Sequence, residues 1–157
     1  YGLSQEYEVS CEELDMLVDT SKTDENIIGS RLMGGGFGGT LWGSAGIVVA
    51  WETYRQYGDI QLLAEHFDAM KKYINFLETK VDKTNGILNE GPLGDWLSPE
   101  GNKNDNTEFW MAYFAYDLDI MSQMAATLGK AEEAKSLKSR SEEIKKTFNK
   151  FYVDKVN

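Results

Sequence analysis

Three clusters of acidic and aromatic residues give this chain the makings of a sugar-binding surface. Trp42 follows a glycine run and precedes a helical stretch. Asp95 and Trp96 sit in a glycine-bounded loop, and Asn104, Asp105, Asn106 and Glu108 lead into a second helical stretch beside Trp110. A sugar presents hydroxyls around its edge and apolar C–H faces, so carboxylates and amides paired with an aromatic platform suit it. All three clusters fall at helix N-terminal entries, the end at which a helical toroid can gather them into one pocket. Each residue also has a purely structural role open to it: Trp42 as a staple, Asp95 as a turn former, Asp105 and Glu108 as a cap.

Other chemistry finds less support. Gly34, Gly36 and Gly39 satisfy G-x-G-x-x-G, but no β-branched strand precedes them, no Lys-Ser/Thr closes the loop, and the next helix starts too late to lend its N-terminus to a phosphate. A pliant loop that lets Phe37 and Trp42 approach a cavity is the simpler role. The single His66 has no companion at a metal-ligating or catalytic spacing, and Met121 and Met124 read as core filler. No metal or organic cofactor is expected.

The chain has 157 residues, 41% of them hydrophobic and 27% charged, which suits one globular unit. Its net charge of −10 would repel a phosphate backbone, so nucleic acid and anionic membrane surfaces are poor partners. No apolar run is long enough to span a bilayer. Cys11 is the only cysteine and can form no internal disulfide. The chain begins at Tyr1 without a charged segment followed by an apolar one, so any targeting segment is expected upstream or already removed, and the chain reads as a piece of something longer.

The elements that must position these residues are helical hairpins. Ile47, Val48, Trp51 and Tyr54 recur at helical spacing up to Gly58, and Asp59 is placed to cap the next helix. Leu63, Phe67, Met70, Ile74, Leu77 and Val81 then form one apolar stripe. A second pair opens at Asp105, with Glu108 positioned to complete a capping box. It carries Trp110, Phe114, Leu118, Met121, Ala125 and Leu128 up to Gly129. Ala134, Leu137, Ile144, Phe148 and Phe151 follow on one side of a final helix.

Aligning Gly58 with Gly129 matches the two hairpins in phase, which predicts stacked antiparallel hairpins in an all-α array or toroid. The connection over 82–104 is long and rich in Gly, Asn and Pro, and Ile87-Leu88 after the Asn85-Gly86 turn predicts a short strand.

The loops also carry a likeness. The block Trp42-Gly43-Ser44-Ala45 continuing to Trp51, then Tyr57-Gly58-Asp59, then Gly94-Asp95-Trp96-Leu97, resembles the catalytic domain of bacterial α-L-rhamnosidases. The resemblance runs from about Gly34 to about Tyr152. It implies a partial (α/α)6 barrel, with residues 1–157 a single segment of that larger domain, irregular over 1–40 and built of hairpins over 41–157.

It further implies an inverting glycosidase that removes terminal rhamnose from a glycan or glycoside, using two glutamates as acid and base. The acid belongs to an R-D-E-R-x-G-W-like motif and the base lies well downstream. Neither occurs here, so the catalytic carboxylates are expected outside this chain, which alone is expected to be inactive. Trp42, Asp95 and Trp96 are the residues the resemblance assigns to the rhamnose pocket, with Asp105 and Glu108 as further contributors. Ser44 departs from the family pattern, where many relatives have Asp.

Expected partners are the carbohydrate, the remainder of the parent chain and a second copy. A periplasmic or extracellular setting is favoured over a cytoplasmic one. Two alternatives remain open: a six-hairpin glycosidase for another sugar, and a non-enzymatic helical-repeat scaffold.

Overall fold

A computed structural model describes residues 40–89 and 105–153. Five α-helices make up most of them: α1 over Thr40–Gly43, α2 over Ala45–Tyr57, α3 over Ile60–Thr79, α4 over Asn106–Thr127 and α5 over Ala131–Phe148. A π-helical turn over Asn149–Val153 follows α5.

The sequence signals for the helix ends act as expected. Gly58 takes φ 71° and its N–H returns to the Tyr54 carbonyl, closing α2 in a left-handed conformation that glycine adopts without a Cβ clash. The Asp59 carboxylate accepts from the Leu62 amide and starts α3. Gly129, at φ 74°, separates α4 from α5 in the same way. A Cβ at Gly129 would meet nothing within 4 Å, so Gly129→Ala isolates the backbone strain. It is expected to cost about 1–2 kcal/mol, read as a lowered denaturant midpoint.

One expected strand is reduced. Ile87-Leu88 yields a single antiparallel bridge, Val81 to Leu88, behind a turn in which Asp82 Oδ1 accepts from both the amide and the hydroxyl of Thr84. Leu88 is nonetheless fully buried. The turn carries it back onto α4, where its N–H meets the Met111 sulfur.

Cross-helix contacts define the directions. Ser141 donates to the Ala115 carbonyl, Lys138 pairs with Asp119, and the Tyr152 hydroxyl meets that of Thr107. Partner numbers fall on one side as they rise on the other, so α4 and α5 are antiparallel. Between α3 and α5 the reverse holds: Lys71 pairs with Glu133, and Glu78 with Arg140. Seven residues further along one helix meets seven further along the other, so α3 and α5 run parallel. Helices of successive hairpins that run side by side in one direction are the arrangement of an α/α toroid.

Burial separates the layers. α4 buries residues around most of its circumference, among them Trp110, Phe114, Leu118 and Met121, whereas α5 buries only Ser141 and Ile144. α4 is therefore an inner helix and α5 an outer one. Met121 and Met124 are both fully buried, as core filler should be.

Arg140 holds Glu78 through a two-point fork, Nε to Oε1 at 2.7 Å and Nη2 to Oε2 at 2.8 Å. Lysine cannot make that fork. Because both side chains remain about one-third exposed, Arg140→Lys is expected to cost only about 0.5–1 kcal/mol, shrinking with added salt. A double-mutant cycle with Glu78→Gln measures it.

Candidate functional site

The site begins at the joint between α1 and α2. The backbone of Trp42 lies in α1, one residue before Gly43 and two before Ser44. Ser44 is fully helical in backbone conformation, and its side chain makes no cap. The hydroxyl turns instead to the Thr40 carbonyl at 2.6 Å and to Asp117 Oδ2 of α4 at 2.5 Å. The Tyr73 hydroxyl, from α3, donates to the same Thr40 carbonyl at 3.1 Å. Three helices thus converge on the turn that bears Trp42.

Asp117 is the functional candidate that the sequence reading passed over. It is fully buried, and its Oδ1 has no hydrogen-bond partner among the described residues. Burial pushes its carboxyl up to about 8, against the weaker opposing effect of the Ser44 hydrogen bond. A strongly displaced titratable group of this kind marks a functional candidate. A signal for it was present: Asp117 stands three residues after Phe114 and four before Met121, so an acidic residue shares the face of two buried apolar ones.

The other expected residues are placed as follows. Asp105 caps α4, accepting from the Thr107 amide at 3.0 Å and from the Thr107 hydroxyl. Glu108 is exposed and its side chain does not reach back to Asp105. The capping box is therefore only half formed: the Asp105 carboxylate caps the first turn, and the Glu108 side chain does not accept from the Asp105 amide in return. Along α4, Asp105 and Glu108 precede Asp117 by nine to twelve residues, about 14–18 Å of helix rise. They are not brought beside the α1 turn.

Asp95 and Trp96, the glycine run and Cys11 lie outside the described residues, as does the Trp42 side chain. His66 is half-buried on α3. Among the described residues, no three His, Cys, Asp or Glu side chains gather as a metal site. No described helix is long and apolar enough to cross a membrane.

Comparison with known proteins gives this arrangement its context. Residues 15–157 match the model of the bacterial alpha-L-rhamnosidase 6 hairpin glycosidase domain. The chain belongs to that family. An alpha-L-rhamnosidase from Streptomyces avermitilis is 35% identical over 125 residues, 77% of this chain and 11% of that protein. The crystal structure of a Streptomyces avermitilis alpha-L-rhamnosidase complexed with L-rhamnose superposes with a TM-score of 0.66 at 29% identity. That match covers 87% of this chain and 13% of the other. The chain thus spans about an eighth of the length of these relatives.

A shorter likeness joins 33 residues, 21% of this chain, to 9% of a galactokinase from Thermotoga neapolitana at 64% identity. So small a share of that protein brings neither its fold nor its activity to this chain.

The all-α hairpin architecture and the six-hairpin segment expected from the sequence are thereby established, and the repeat-scaffold alternative loses its ground. At Ser44 a carboxyl meets the joint from α4, on Asp117.

Proposed function

We propose that the full-length polypeptide removes terminal L-rhamnose from a glycan or glycoside by inverting hydrolysis, and that this chain supplies pocket wall rather than the catalytic carboxylates. The observation that carries the proposal is the family match over residues 15–157. The rhamnose complex of the Streptomyces avermitilis relative supports the choice of sugar. Inversion needs an acid and a base about 6.5–9.5 Å apart with a water between them. The acid and base are proposed to lie in the remainder of the polypeptide. Trp42, Asp95 and Trp96 are the proposed sugar contacts, Trp96 as apolar platform and Asp95 as hydrogen-bond acceptor for ring hydroxyls. Asp105 and Glu108 flank the loop that bears Asp95 and Trp96 and are proposed as its rim.

The test is chromophore release by the full-length protein from aryl α-L-rhamnoside, α-glucoside and β-glucuronide. Turnover of the rhamnoside alone is the expected result. Cleavage of another glycoside would keep the six-hairpin fold and overturn the sugar, and no cleavage at all would overturn the proposed activity.

A further inference from the structure

Counting hydrogens at the α1–α2 joint assigns Asp117 a role that does not rest on the identity of the sugar. Ser44 Oγ lies 2.6 Å from the Thr40 carbonyl oxygen and 2.5 Å from Asp117 Oδ2. A hydroxyl carries one hydrogen, and a carbonyl oxygen can only accept. When Ser44 donates to an ionised Asp117, its oxygen faces that of Thr40 at hydrogen-bond distance with no proton between them. When it donates to Thr40, the same conflict moves to the carboxylate. Both contacts are satisfied only if a second proton resides on Asp117.

We propose that Asp117 is a positioning residue held as the neutral acid, donating to Ser44, which in turn donates to the Thr40 carbonyl, so that one proton fixes the turn bearing Trp42 against α4. The relay joins the α1–α2 joint to the inner helix α4, and Tyr73 of α3 braces its far end on the same carbonyl.

The surroundings favour the proton. Among the described residues, α1 and α2 bring the Thr40 carbonyl and the Ser44 hydroxyl and amide to the joint, and α3 brings the Tyr73 phenol. On α5, Ser141 is spent on the Ala115 carbonyl, and Lys138 and Lys145 are taken up by Asp119, which is two residues along α4 from Asp117. Burial is the first cause of the raised carboxyl, and among the described residues only the Ser44 hydrogen bond opposes it.

The sign of the pH effect follows. The folded-state value of about 8 lies above the ordinary carboxylate value near 4 that the unfolded chain would show. Asp117 therefore contributes its full stabilisation below about pH 4, and that contribution is lost progressively as pH rises through about 8.

The experiment uses the full-length protein, its Asp117→Asn variant and its Asp117→Ala variant. The wild-type-minus-Asn infrared difference at about pH 6 is expected to show the carbonyl stretch of a protonated carboxylic acid, disappearing with a midpoint near pH 8. The asparagine amide can donate to Ser44 as the acid does but cannot titrate. Asp117→Asn is therefore expected to melt well above Asp117→Ala and to lose the decline of melting temperature between about pH 4 and pH 8. Absence of the acid band, or equal melting of the Asn and Ala variants, overturns the proposal. Should Asp117→Asn fail to fold, carboxyl-carbon titration of labelled aspartates in the wild type decides instead. One aspartate titrating near pH 8 supports the relay, and all titrating below about pH 5 overturns it.

Discussion

Gly43→Ala is expected to lower the unfolding free energy by roughly 3 kcal/mol and to dislodge the turn that bears Trp42. A Cβ at Gly43 would fall 2.5 Å from Cζ and 2.6 Å from Cε2 of Tyr73, closer than any relaxed carbon contact. The ring cannot yield cheaply. Tyr73 is buried, and its hydroxyl is committed to the Thr40 carbonyl, so any shift also breaks a buried hydrogen bond. Tyr73→Phe removes the oxygen but leaves the obstructing ring carbons, so it should not rescue Gly43→Ala, whereas Tyr73→Leu should recover part of the loss. Denaturant midpoints of the single and paired variants check this. An unchanged midpoint for Gly43→Ala would mean that the helix and the ring are not in close approach.

The second large effect belongs to the loop. If Trp96 is the sugar platform, Trp96→Ala should raise KM for an aryl rhamnoside about 30-fold or more, the scale of losing a well-packed aromatic anchor. Asp95→Asn keeps the shape but replaces an ionised acceptor with a neutral group, so it should cost about tenfold in kcat/KM. Circular dichroism and melting temperature should stay close to wild type for both. Unchanged kinetics in both variants would remove the loop from the pocket.

Much of this architecture is written locally. The helix ends at Gly58 and Gly129 are legible because a left-handed residue after an apolar stripe has few other uses, and Asp59 caps a helix three residues into its own neighbourhood. The stripe from Leu63 to Leu77 is legible because one face must be buried. What escapes the sequence is what depends on distant partners. Asp117 finds its hydroxyl 73 residues away, and no local pattern announces the meeting. The Asp105 cap was legible, but its partner was not, since the carboxylate accepts from the amide and hydroxyl of Thr107 while the Glu108 amide goes to the Asp105 carbonyl. The sugar contacts proposed for Trp42, Asp95 and Trp96 rest on loop motifs alone.

The two ion pairs that join α3 to α5 also encode a register. Along α3 the order is a cation at Lys71 and an anion at Glu78; along α5 it is an anion at Glu133 and a cation at Arg140. The spacing is two helical turns on both sides, so a slide of two turns in one direction brings Lys71 opposite Arg140, and in the other brings Glu78 opposite Glu133. Reversing α5 end for end sets cation against cation and anion against anion. Each pair alone contributes little at a surface. Their alternation nevertheless makes every misplacement by that step repulsive, and so works as a two-digit code that tells one hairpin where to stop along the next.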